Sequence, residues 1–116
     1  MILAVLDDLM FTSKIKTAAS RLGVAVTFAR SADAARSAME QTTPSLVIFD
    51  LNNARVDPLG IVKAMKANPT LASIPTVGFV SHVQADLIEA AREAGVTEVM
   101  ARSAFTQQLG EILERD

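Results

Sequence analysis

A chain of 116 residues, half of them apolar and none of them cysteine, has the size and core for one domain but no means to build a disulfide framework or a thiolate metal site. Its net charge of −2 argues against a nucleic-acid face, which needs a clustered basic surface. No apolar run approaches the length of a membrane span, and Met1 leads straight into a strand-like run with neither basic segment nor cleavage site, so the expectation is a soluble, cytoplasmic, single domain over 1–116.

Ile2–Leu6 is predicted as a buried strand ending in the acidic pair Asp7-Asp8. Phe11, Ile15, Ala18, Ala19 and Leu22 fall at the period of an amphipathic helix, and Gly23 follows as its left-handed cap. Val24–Ala29 is a second strand. Ser31 is the N-cap of a short helix through Glu40, with Ala35, Ala38 and Met39 inward. Leu46-Val47-Ile48-Phe49 is a continuous apolar run that stops at Asp50, the pattern of a strand buried on both faces.

Asp57-Pro58 starts the next helix, with Asp as cap and Pro at the first helical position, and Asn68-Pro69 stops it. Thr76–Val80 is a fourth strand, where Gly78 predicts close approach by a neighbouring helix. A helix to about Ala94, capped by Gly95, leads to a fifth strand, Val96–Ala101. Ser103 is expected to cap a last helix carrying Phe105, Leu109, Ile112 and Leu113. Strict alternation of five strands and five helices implies a parallel sheet covered on both faces.

Ligand sites in such sheets gather at the carboxyl ends of the strands. There the first strand delivers Asp7 and Asp8, the third Asp50, the fourth Ser81 and the fifth Arg102. With strand order 2-1-3-4-5, the first and third strands are neighbours and three carboxylates crowd one crevice. Like charges so close repel unless a cation sits among them, and oxygen-only ligands in an open site suit Mg²⁺. The turn after the first strand, Leu6-Asp7-Asp8-Leu9-Met10, has no glycine, which removes the dinucleotide and P-loop readings. The same acidic turn, with no Trp or Tyr in the chain, argues against flavin binding.

Each of these residues also has a plainer role. Asp7 or Asp8 could cap a helix, Ser81 could cap the following one, and Arg102 could form only a surface ion pair. A lone His82, with no second His or Cys beside it, is assigned no chemistry. Met65, Met100 and the five phenylalanines are assigned to the core.

Over essentially its whole length the chain resembles a bacterial two-component response-regulator receiver domain of the chemotaxis-regulator type. The resemblance rests on the acidic pair Asp7-Asp8, on Asp50 in the phosphoacceptor position, on the hydroxyl of Ser81, and on Arg102 in the place of the family's lysine. It implies a flavodoxin-like three-layer αβα fold. It implies Mg²⁺ held by Asp7, Asp8, Asp50 and the backbone carbonyl of Asn52. It implies that Asp50, helped by Ser81 and Arg102, takes a phosphoryl group from a histidine kinase or phosphotransfer protein. Output through the fourth helix, fifth strand and fifth helix to a downstream protein or a second copy follows, with no nucleic-acid or membrane partner and no enzyme activity beyond its own phosphorylation and dephosphorylation. The chain departs from the family pattern at several points. Arginine replaces lysine, Ser103 replaces a proline, Val99 stands at an aromatic switch position, and the loop after the acceptor reads Asn53-Ala54-Arg55-Val56-Asp57-Pro58. These departures leave open an alternative, a pseudo-receiver acting as an unphosphorylated interaction scaffold.

Overall fold

In the computed structural model, which describes residues 1–81 and 84–116, five parallel strands alternate with helices. The strands are β1 (Ile2–Val5), β2 (Val26–Ala29), β3 (Leu46–Asp50), β4 (Thr76–Val80) and β5 (Glu98–Ala101). The helices are α1 (Leu9–Leu22), α2 (Ala32–Gln41), α3 (Pro58–Ala67), α4 (Ala85–Ala94), α5 (Arg102–Gln107) and α6 (Leu109–Leu113). The sheet is parallel, as the alternation predicts, and its order is β2-β1-β3-β4-β5, the order expected of a flavodoxin-like fold. No described helix is long and apolar enough to cross a membrane.

Both faces of the sheet are buried because the inner strands are largely apolar, β1 at every position, β3 at all but Asp50 and β4 at all but Thr76 and Gly78, and period-two alternation divides their side chains between two cores. On one face Leu3, Val5, Val47 and Phe49 pack with Met39 of α2, Ile61, Val62 and Met65 of α3, and Ala91 of α4. On the other, Ile2, Ala4, Ile48, Val77 and Phe79 pack with Phe11 and Ile15 of α1 and with Phe105, Leu109, Ile112 and Leu113 of α5 and α6. Phe11, Phe79 and Phe105 form one cluster, with Phe79 and Phe105 stacked at 4.8 Å. Met65 and four of the phenylalanines are buried, while Phe28 and Met100 are only partly so.

The punctuation read from the sequence operates as expected at most helix ends. Gly23 and Gly95 close α1 and α4 with positive φ of 68° and 112°, and Ser31 caps α2 through the Ala34 N–H. Asp57 caps α3 by accepting from the Gly60 N–H, and does so at φ 48°, the sole positive φ outside glycine among the described residues. The helix after β5 differs from expectation. It begins at Arg102, with Ala101 rather than Ser103 at the cap, and is interrupted at Gln108, which gives six α-helices among the described residues in place of five. Leu109, Ile112 and Leu113 keep their apolar spacing across the break, so periodicity alone does not reveal it.

Gly78 also differs. A Cβ there would lie 2.6 Å from Cδ1 of Leu51, so the close neighbour is the side chain following Asp50, not a helix. At the opposite edge of the sheet, Thr76 and Thr97 exchange hydrogen bonds. The Thr76 N–H donates to Thr97 Oγ1 at 3.0 Å, and the Thr97 N–H donates to Thr76 Oγ1 at 2.9 Å. This clasp joins the starts of β4 and β5.

Candidate functional site

Strand register brings the sequence candidates to one edge. Val5 pairs with Phe49, Asp50 with Phe79, and Val80 with Ala101, so Asp7-Asp8, Asp50, Ser81 and Arg102 all leave the sheet at its carboxyl end. Asp50 is half-buried at the end of β3, and its Oδ1 accepts from the Asn52 N–H at 3.1 Å. Burial pushes the Asp50 carboxyl above its ordinary value, and the Asn52 N–H and the positive charge of Arg102 pull it back only in part.

Asp8 does two things at once. Its Oδ1 accepts from the Phe11 N–H at 3.0 Å and so caps α1, the helix role weighed for it above. Its Oδ2 pairs with Arg102 Nη2 at 2.9 Å. The Phe11 N–H first, and then the Arg102 guanidinium, hold the Asp8 carboxyl below its usual range. Asp7 pairs with Arg55 at 3.3 Å, but the Arg55 side chain is 86% exposed and the pair is open to solvent.

Arg102 has two further partners. Its Nη1 donates to Ser81 Oγ at 3.4 Å, and its Cζ stands 4.2 Å from the centre of the Phe11 ring. Ser81 does not cap α4, which starts at Ala85 with Gln84 at the cap position. Instead the Ser81 N–H donates to Asn52 Oδ1, and Asn52 Nδ2 donates to Gln84 Oε1 at 3.1 Å. The side chain of Asn52 therefore ties the loop after β3 to the loop after β4. Arg55, Gln84 and this use of the Asn52 amide escaped the sequence reading, because loop residues carry no periodic signal that fixes where they point. His82, assigned no chemistry from the sequence, lies outside the described residues.

The donors at this edge fit a hard divalent cation in kind, being oxygen only. Their arrangement puts guanidinium groups against two of the three carboxylates, and among the described residues no three acidic or histidine side chains form a metal-holding group.

No protein-family model and no curated protein matches the chain. Solved structures do. The phosphorylated form of the cyanobacterial phytochrome response regulator RcpA aligns with a TM-score of 0.82 and 24% identity, over 97% of this chain and 87% of its own. The Mn²⁺-bound form of the response regulator Rcp1 aligns with a TM-score of 0.80 and 21% identity, over 96% of this chain and 89% of its own. The chemotaxis protein CheY4 of Vibrio cholerae aligns with a TM-score of 0.85 and 18% identity, over 98% of this chain and 95% of its own. The chain therefore has the fold of the response-regulator receiver domain. That fold spans it almost from end to end.

Proposed function

We propose that this chain is a phosphorylation-dependent receiver of two-component signalling, with Asp50 as the phosphoacceptor. The observation that carries the reading is the placement of Asp50: a half-buried carboxylate made more basic by burial, on one edge with Asp7, Asp8, Ser81 and Arg102. In the transfer, an Asp50 oxygen attacks the phosphorus of a phosphohistidine. The P–N bond breaks, the electron pair leaves with the imidazole nitrogen, which takes a proton, and an acyl phosphate remains on Asp50. Phosphoryl transfer of this kind is mostly positioning and charge neutralisation. Arg102 and the Ser81 hydroxyl are the groups of this chain that can meet the phosphoryl oxygens. Asp7, Asp8, Asp50 and the Asn52 carbonyl would hold Mg²⁺, which supplies charge neutralisation between donor and acceptor.

The donor would be a histidine kinase or a phosphotransfer protein. The signal would leave through α4, β5 and α5 to a downstream protein or a second copy. Glu98, a residue of that face, is tied to Arg115, which also pairs with Glu111 of α6. Reversing its charge would therefore disturb the fold's own ion pairs as well as any association.

The test is acetyl phosphate with Mg²⁺ on the purified chain, read by intact mass and peptide mapping. The expected result is one phosphoryl group, on Asp50, absent without Mg²⁺ and absent in Asp50→Asn. The arginine partners of Asp7 and Asp8 favour a second reading, an unphosphorylated interaction scaffold. Absence of any Mg²⁺-dependent modification would sink the first reading and leave the second.

A further inference from the structure

The acidic edge carries its own counter-charge, and the way Arg102 is held gives that charge a job. Asp8 has two carboxylate oxygens. Oδ1 is committed to the Phe11 N–H at 3.0 Å, so Oδ2 is the oxygen left for an incoming cation, and Arg102 occupies it at 2.9 Å. Arg102 is held there from three directions: by the charge of Asp8, by the Ser81 hydroxyl at 3.4 Å, and by the face of Phe11 at 4.2 Å. A planar guanidinium can pair through one nitrogen, donate through a second and stack through its plane, which a lysine ammonium cannot do together.

We propose that Arg102 is a tethered counter-ion that competes with a divalent cation for Asp8, so that metal entry and release of Arg102 are one event. The proposal rests on the receiver reading and gives the lysine-to-arginine departure a consequence. At rest the guanidinium offsets the repulsion between Asp8 and Asp50, so the edge is stable without an ion. A cation that takes Asp8 Oδ2 displaces the guanidinium. Freed from Asp8, Arg102 is still beside Ser81, where an incoming phosphoryl group would be met. Arg55 is a weaker competitor, because its side chain is 86% exposed against 35% for Arg102.

The experiment is Mn²⁺ binding to the intact chain, read by the electron paramagnetic resonance signal of free Mn²⁺, with circular dichroism to verify each fold. Arg102→Gln should tighten binding about two- to fivefold, the upper part of the range that loss of one partly exposed ion pair gives. Arg102→Lys should fall between the two, and Arg55→Gln should change binding by less than about twofold. Asp8→Asn should weaken binding and erase the difference made by Arg102→Gln. Equal or weaker binding in a folded Arg102→Gln, with binding still dependent on Asp8, would overturn the competition and leave the receiver reading standing. Should neither the native chain nor Arg102→Gln bind Mn²⁺ at millimolar concentration, the metal-dependent receiver reading falls and takes the competition with it. If Arg102→Gln fails to fold, the native chain decides. Saturating Mg²⁺ should move the Arg102 Nε–Hε resonance, and an unmoved resonance overturns the proposal.

Discussion

Gly78→Ala tests how tightly the loop after Asp50 is seated on the sheet. Gly78 lies in β4 opposite Phe49, and an added methyl would stand 2.6, 2.8 and 3.1 Å from Cδ1, Cγ and Cδ2 of Leu51. Leu51 is 3% exposed and its N–H donates to the Phe79 carbonyl at 3.0 Å, so it has little room to retreat. Overpacking of this kind costs about 1–3 kcal/mol. The lower chain entropy of alanine in the unfolded state returns about 0.4–1 kcal/mol. The two ranges combine to a destabilisation of about 0–2.6 kcal/mol with a midpoint of about 1.3 kcal/mol, and the midpoint corresponds to a fall in melting temperature of roughly 4–8 °C for a domain of this size. Thermal unfolding by circular dichroism measures it. The mechanism is checked by combining Gly78→Ala with Leu51→Ala, which alone should cost about 2–5 kcal/mol. With the clash removed, the double variant should be more stable than the sum of the singles by about 1 kcal/mol. Additive costs, or an unchanged melting temperature in Gly78→Ala, would refute the contact as the reason for the glycine.

Two further outcomes concern pH and signal spread. Because burial raises the Asp50 carboxyl, the folded state binds its proton more readily than the unfolded chain, and native stability falls as pH rises from the ordinary value of 3.8 through the folded value. Asp50→Asn should therefore melt higher than the native chain at pH 7, with the gap closing in acid. Asp8 has the opposite sign: its depressed carboxyl stabilises above the ordinary range, and that contribution is lost as pH falls through the folded value, so the penalty of Asp8→Asn should be full at pH 7 and shrink in acid. On beryllofluoride binding, amide shifts should appear around Asp7, Asp50, Ser81 and Arg102 and extend through Phe11 and Phe79 to Phe105, since Arg102 rests on Phe11 and the three rings are in contact. Shifts should be small at Val99, a side chain too short and too stiff at χ1 to follow the pocket. Large shifts at Val99 with none at Phe105 would refute this path.

The sheet was legible because its inner strands are continuous apolar runs between strong punctuation. Leu46–Phe49 can be little else than a buried strand, and its end places Asp50 at the edge without further information. The candidates Asp7, Asp8, Ser81 and Arg102 followed from the same logic of strand ends. Their partners did not, because a partner depends on loop path and rotamer. Nothing in the string of letters says that Arg102 reaches Asp8, that Arg55 reaches Asp7, or that the Asn52 amide bridges to Ser81. The apolar period of α1 begins only at Phe11, whereas Asp8 caps a helix that begins at Leu9, because Leu9 and Met10 are exposed and add nothing to the periodicity. The helical break at Gln108 is silent for the opposite reason, as the apolar spacing continues through it.

The reciprocal threonine clasp between β4 and β5 makes the sheet mechanically lopsided. Their amino ends are locked by two side-chain hydrogen bonds, while their carboxyl ends run out into Ser81 and Arg102, which meet across a single 3.4 Å contact. Between the clasp and that contact the two strands are held by the ladder that runs from Val77 and Glu98 to Val80 and Ala101, so resistance to a pull at the contact is stiffest at the threonine end. The expected displacement is therefore largest at Ser81 and in the first turn of α5. Deuterium uptake along β4 and β5 should rise from the threonines toward the pocket, and removing either hydroxyl should flatten that gradient.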